Sequence, residues 1–397
     1  MTVPNPEPPS PTAAAPADDS AAPAQSLPGL DLSRLRAHLD VVAPGLVAGP
    51  LSGAVIAGGR SNLTYAVTDG AQRWAVRRPP LGHVLATAHD MGREYRVMSA
   101  LAPTAVPVPE TVAYCADPDV IGAPFYVMQY VDGAVYRLAE DTADLAPDRR
   151  AAMTDALVDV LAALHEVDPA AVGLADFGRP DGFLERQVRR WKTQLDASRS
   201  RPLAGADALH AGLAASIPAS ARACLLHGDY RLDNVLVGAD DQVAAVLDWE
   251  MSTLGDPLTD LALFLVYYAG LGAARGSAVT VTGSPAPGFP SGADLAARYA
   301  RRHPVDLSRL DWYLALAFFK LAVISEGIHL RFSTGQTVGA GFEQIGQTVE
   351  PLLGAGNAAL ARDTAARADP ARAHDPTRPG TAAGPTTEEE QPACPKP

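Results

Sequence analysis

The chain has 397 residues and 41.3 kDa, room for two domains at about 150 residues each. Its 47% apolar and 19% charged content supplies a sizeable core and excludes a chain disordered throughout. With 32 basic against 45 acidic residues the net charge is −13, which argues against general nucleic-acid binding and against adhesion to an anionic membrane. A local basic pocket for a phosphate compound stays open. Cys115, Cys224 and Cys394 are far apart and form no CxxC pair, which argues against a disulfide scaffold, a structural zinc site or an iron–sulfur cluster and suits a reducing cytoplasm. No basic region followed by an apolar one opens the chain, so no secretory signal is expected. The apolar stretches 258–271 and 312–324 read as interrupted or too short to span a bilayer.

Seven of the first 25 residues are proline and none is Lys or Arg. This segment, 1–26, and a Pro/Ala-rich stretch with an acidic run, 363–397, read as disordered tails. Between them the elements predict a β-rich lobe over 27–131 and a helical lobe over 132–362. A helix over 30–42 has Asp31 near its N-cap. Strands follow at 55–57, 64–68 and 72–77, punctuated by Gly58-Gly59 and Asp69-Gly70. A helix over 86–102 carries Glu94, and strands at 111–114 and 125–130 complete a small antiparallel sheet. Helices are expected over 149–167, 184–195, 257–268, 293–301 and 309–331, with Met153, Leu157, Val160, Leu161 and Leu164 at helical spacing in the first. A hairpin sits among them, with strands 234–237 and 243–247. A Pro/Gly/Ser loop fills 276–292.

The sharpest segment is His227-Gly228-Asp229-Tyr230-Arg231-Leu232-Asp233-Asn234, followed by Leu247-Asp248-Trp249-Glu250. Phosphoryl transfer from ATP needs a carboxylate to orient and deprotonate the attacking hydroxyl, oxygen ligands for Mg²⁺, and cations to offset phosphate charge. Asp229 and Asn234 stand at the interval that separates base and metal-binding Asn in a kinase catalytic loop. Asp248 ends the second hairpin strand, and the hairpin returns the chain so that Asn234 and Asp248 can approach one metal ion. Arg231, two residues beyond the base, can reach the transferred phosphate. Singly, each residue also has an ordinary reading as a turn residue or cap. Asp256 before Pro257 suits an N-cap and first turn. Asp260 braces the catalytic loop through His227, or else His227 is a packed loop histidine. Glu250 reads as touching metal or substrate, or as an exposed structural residue. Trp191, Trp312, Tyr313, Phe318 and Phe319 read as core or pocket wall. Lys320, Glu326 and Arg331 read as a solvated helix face or as substrate contacts.

These segments resemble the aminoglycoside phosphotransferase/choline kinase superfamily. Gly58-Gly59-Arg60-Ser61-Asn62-Leu63-Thr64-Tyr65, Val76-Arg77-Arg78-Pro79-Pro80, Arg93-Glu94-Tyr95 and Gly255-Asp256-Pro257-Leu258-Thr259-Asp260 extend the resemblance to the branch related to the kinase-like domains of acyl-CoA dehydrogenase fusion proteins. It covers about residues 45–350. It implies an α+β, protein-kinase-like two-lobed fold with a small antiparallel β-rich N-lobe and a larger helical C-lobe. It implies Asp229 as catalytic base, Asn234 and Asp248 as Mg²⁺ ligands, Ser61, Asn62 and Thr64 in a loop over the ATP phosphates, Glu94 paired with a strand cation, and Met128, Gln129 and Tyr130 as the hinge beside adenine. The strand cation is Arg77, with Arg78 the neighbouring candidate, where kinases generally place Lys. The phosphate loop is not a GxGxxG. The implied function is an ATP- and Mg²⁺-dependent small-molecule kinase acting on a hydroxyl, of a hydroxyacyl compound or its CoA thioester. Aminoglycoside or amino-alcohol (choline- or homoserine-type) acceptors, and nucleotide binding with little catalysis, are the alternatives. A functional link to a separate acyl-CoA dehydrogenase is implied as well. No DFG, APE or activation segment argues for a protein kinase.

Overall fold

The computed structural model describes residues 27–56, 62–81, 90–137, 139–220, 222–269, 289–336 and 342–369. The expected N-terminal tail, Ser61, and most of the 276–292 loop lie outside them.

Helix α1 (Leu32–Val42) starts where Asp31 accepts hydrogen bonds from the Ser33 and Arg34 amides, the N-cap its position suggested. A five-stranded antiparallel sheet follows, from β1 (Ser52–Val55), β2 (Leu63–Thr68), β3 (Arg73–Arg78), β4 (Thr111–Cys115) and β5 (Phe125–Gln129), in the order β1-β2-β3-β5-β4. Helix α2 (Met91–Leu101), capped by Asp90, lies across it. The sheet is covered on both faces, and its period-two alternation sorts side chains between two cores. Phe125 and Val127 of β5, with Trp74 and Val76 of β3, pack with Leu35 and Leu39 of α1. Tyr126 and Met128, with Ala75, face the other way, toward Val97 and Met98 of α2.

The rest is mainly helical: α3 (Pro147–Glu166), α4 (Phe183–Ser198), α5 (Ala206–Ala215), α6 (Pro257–Ala269), α7 (Gly292–Arg302), α8 (Leu310–Ser333) and α9 (Val349–Ala368). Two small antiparallel ladders carry the chemistry-bearing segments. Strand β6 (Cys224–Leu226) pairs with β9 (Thr253–Gly255), and β7 (Val235–Val237) pairs with β8 (Val243–Val246). Asn234 closes a short 3₁₀ turn before β7 instead of opening the strand.

Four expectations need correction. Helix α5 and the β6–β9 ladder were not foreseen; three-residue strands give no periodicity to read. The tail does not begin at 363, because α9 runs to Ala368. The Asp363 carboxylate is fully buried there and meets the Arg309 guanidinium in a two-pronged pair at 2.7 and 3.2 Å. The apolar run at 312–324 belongs to a 24-residue helix, long and apolar enough in length and composition to cross a bilayer, and most of it is buried within the protein. Finally, Glu326 on α8 does not lie on a solvated face. It is fully buried and paired with Arg201 at 3.0 Å, while Arg331 is exposed.

Candidate active site

The catalytic-loop segment is held from three sides. Asp260, in the first turn of α6, accepts from the backbone amides of His227 at 2.6 Å and Gly228 at 2.9 Å. Asp256 accepts from the Leu258 amide at 3.0 Å, so it caps the same helix, and it also accepts from the Tyr313 hydroxyl at 2.8 Å. Asp260 therefore braces the loop through its backbone, not through the His227 ring. That ring is fully buried against Trp249, with centroids 4.7 Å apart, and bridges two segments. Its Nε2 donates to the Leu247 carbonyl at 2.9 Å, and its Nδ1 accepts from the Asp229 amide at 3.2 Å, which fixes a neutral tautomer. Gly228 adopts φ +85, and a Cβ there would stand 2.5 Å from the Met251 carbonyl oxygen, so the turn requires glycine.

These supports present Asp229. Its Oδ2 accepts from Asn234 Nδ2 at 3.1 Å and its Oδ1 from the Tyr267 hydroxyl at 3.0 Å. The Arg231 Nε lies 3.4 Å from the same Oδ2 and 3.0 Å from Asp233, with its guanidinium over the Tyr267 ring. Tyr267 was missed in the sequence, although a signal existed. It sits seven residues after Asp260, on the same face of α6 two turns along.

The hairpin brings the second half of the site alongside. The Leu247 amide donates to the Asn234 carbonyl at 2.8 Å, so Asp248 leaves β8 next to Asn234. Asp248 has φ 67, one of two non-glycine residues with positive φ among those described. Such a left-handed Asp costs free energy and is found where the surroundings hold a side chain in place. From the N-lobe, Arg77 reaches both Asp248 and Glu94, the latter at 3.1 Å, and Tyr126 donates to Glu94 at 3.0 Å. The choice between the two arginines follows from strand alternation. Arg77 shares the α2-facing side of β3 with Ala75, whereas Arg78 turns to the opposite face and donates to the Gly29 and Ile121 carbonyls.

Asn62 is buried and donates from Nδ2 to Glu94 at 3.3 Å and to Glu250 at 3.2 Å. Thr64 lies within β2, directly opposite Arg77. Met128 and Gln129 end β5; Tyr130 follows, its amide bonded to the Arg73 carbonyl and its ring under the Arg73 guanidinium. Burial, together with the carboxylates of Asp248 and Glu94, pushes Glu250 up to about 7. Acidic groups thus crowd around Arg77, with Asn234 turning its amide nitrogen toward Asp229. The Asp248 carboxylate and the Asn234 side-chain oxygen are hard donors of the kind a divalent cation takes, while no group of three acidic, histidine or cysteine side chains gathers as a metal site among the described residues.

Beside the loop, a cavity of about 500 Å³ opens among α4, α6 and α8. Gly228, Glu250, Trp191, Tyr313 and Lys320 line it, while Trp312 and Phe319 are core.

The sequence profile of the phosphotransferase enzyme family matches residues 52–295. Acyl-CoA dehydrogenase family member 11 of Rattus norvegicus is 34% identical over 337 residues, covering 82% of this chain and 43% of that protein. The chain thus spans about two fifths of the length of such relatives. A solved structure from Ralstonia eutropha, provisionally named an aminoglycoside phosphotransferase, is 34% identical, with 84% of this chain and 98% of that chain covered and a TM-score of 0.73. A thermostable aminoglycoside phosphotransferase solved with ADP and hygromycin B is 17% identical, covers 83% of this chain and 98% of that one at a TM-score of 0.53, and shares the fold.

Proposed function

Because the chain belongs to the phosphotransferase enzyme family, whose members here share its two-lobed kinase-like fold, we propose that it is an ATP- and Mg²⁺-dependent small-molecule kinase. Its acceptor is a hydroxyl of a hydroxyacyl compound or its CoA thioester. The observation that carries the reading is Asp229, oriented at both oxygens by Asn234 and Tyr267 and set beside the Asn234–Asp248 corner.

Asp229 takes the proton of the acceptor hydroxyl as its oxygen bonds to the γ-phosphorus. The bond from that phosphorus to the β–γ bridging oxygen breaks, and ADP leaves with the electron pair. Asn234 Oδ1 and the Asp248 carboxylate would hold Mg²⁺, which supplies charge neutralisation on the phosphates. Arg77, locked between Glu94 and Asp248, contributes a fixed cation on the nucleotide side, and its fork suits bidentate phosphate contact. Arg231 offsets charge next to the base. Asn62 and Thr64 would border the phosphates, and Met128, Gln129 and Tyr130 the adenine. The dehydrogenase names of the longer relatives support the acyl acceptor and a functional link to an acyl-CoA dehydrogenase.

ADP release with MgATP tests this, using 3- and 4-hydroxyacyl-CoAs, the free hydroxy acids, choline, homoserine and an aminoglycoside. Turnover of an acyl acceptor, falling by about 10²–10⁴ in Asp229→Asn while nucleotide binding persists, is the expected result. Unchanged turnover in that variant defeats the assignment of the base. Exclusive turnover of choline or the aminoglycoside defeats the acyl acceptor.

A further inference from the structure

The cavity beside the catalytic loop has an apolar wall from Phe183, Trp191, Leu226, Leu263 and Leu316. Its acidic members are already engaged. Asp260 accepts the two loop amides and lies 3.5 Å from His165, and Glu250 accepts from Asn62. Of its cations, Arg93 is committed to the Phe177 and Ser252 carbonyls at 2.6 and 2.9 Å and lies over the Phe177 ring.

Lys320 and Arg190 differ. Both line the cavity, and both lie near the ring of Trp191, with Nζ 5.7 Å and the guanidinium carbon 5.4 Å from its centroid. Neither forms an ion pair among the described residues. The Lys320 ammonium has three donors, and the Gly228 carbonyl takes one at 2.9 Å. Burial holds its pKa below the usual lysine range, opposed by the attraction of Asp229 and Asp260 and assisted by Arg190 and Arg231. Arg190 is exposed at the mouth of the cavity. The indole thus carries one cation inside, next to the loop that presents the base, and one at the entrance.

A cation set against the apolar wall of a mixed cavity, with no carboxylate paired to it, favours an anionic occupant and repels a cationic one. We propose that Lys320 and Arg190 are specificity-determining residues that select an acceptor carrying an anionic oxygen on an apolar skeleton, and that they reject amino alcohols and aminoglycosides. This rests on the kinase reading, whose acceptor it defines by charge. The anion is either a carboxylate on the hydroxyl-bearing skeleton or the phosphates of a thioester-linked carrier.

The test compares 4-hydroxybutyrate with 4-amino-1-butanol, which share chain length and hydroxyl and differ in charge. Each is titrated calorimetrically into the full chain and into Lys320→Met, Lys320→Arg and Arg190→Gln, with ADP release measured in parallel. The expected result is binding of the acid at least about ten-fold tighter than the amine. Lys320→Met weakens the acid by about ten- to a hundred-fold and erases the discrimination, Lys320→Arg restores most of it, and Arg190→Gln weakens the acid by a few-fold. If the Lys320 variants do not fold, the wild-type comparison and the exposed Arg190 carry the test. The CoA thioester of the same acid separates the two anion sources, and tighter binding of either anionic form than of the amine supports the proposal. Equal binding of acids and amine, tighter binding of the amine, or binding of none of the probes overturns it. Charge preference in binding without ADP release defeats the kinase reading and leaves this one standing. ADP release without charge preference does the reverse.

Discussion

Replacing Asp260 by Asn tests how the catalytic loop is held. The side chain is 2% exposed, and each carboxylate oxygen accepts a different loop amide, at 2.6 and 2.9 Å. Asparagine keeps the shape but turns one acceptor into a donor that faces an N–H. A hydrogen bond to a charged group contributes about 1.5–3 kcal/mol, and stranding a buried donor costs about 1–3 kcal/mol. The expected loss is therefore about 3–5 kcal/mol, out of a total stability of roughly 5–15 kcal/mol. Urea unfolding measures it as a lower midpoint with an unchanged slope. The pH dependence supplies a second check. Burial opposes the charge on Asp260, but the hydrogen bond and charge of His165, with the hydrogen bond from the His227 backbone amide, hold its pKa below the ordinary carboxylate value. The unfolded chain then binds this proton more readily than the native one. The stabilisation is complete above the unfolded value of about 3.9 and disappears as pH falls through the lower native value. The gap between wild type and Asp260→Asn should be full at pH 7 and close below about pH 4. A gap under ~0.5 kcal/mol at pH 7, or one that stays constant down to pH 3, refutes the reasoning.

Three further outcomes are expected. Arg77→Met leaves the buried Glu94 without its cation and should destabilise by about 3–5 kcal/mol in urea unfolding, whereas Arg77→Lys should fold but bind a nucleotide analogue more weakly, since one ammonium cannot reproduce the fork between Glu94 and Asp248. Gly228→Ala combines a left-handed backbone with a Cβ against the Met251 carbonyl, and should lower turnover by at least about ten-fold through displacement of Asp229; wild-type kinetics would contradict the role of the turn. Arg309→Met takes the two-pronged partner from the buried Asp363, leaving Arg367 at 3.9 Å, and should cost about 1–3 kcal/mol; a chain ending at 362 should unfold earlier than one ending at 369, and equal midpoints for the two truncations would remove α9's last turns from the folded core.

Local chemistry made much of this protein legible in its sequence. The Asp229–Asn234 interval, the hairpin and the strand-terminal Asp248 are near neighbours in the chain, so spacing and turn residues suffice to place them together. Strand alternation puts Arg77 and Arg78 on opposite faces of β3, but which of them meets Glu94 stayed open until the fold set α2 against one face. Other features needed the fold. Tyr267 reaches Asp229 only because α6 is anchored at Asp260 beneath the loop. Lys320 and Trp191 share a cavity wall although they come from α8 and α4, over a hundred residues apart. Asp363 reads as one more tail residue until Arg309 is folded against it. The sequence determines the periodicities, caps and catalytic spacing, since these depend on residues a few positions apart. Burial, ion pairing across the chain and the charge inside the cavity are sums over distant segments, and packing alone assembles them.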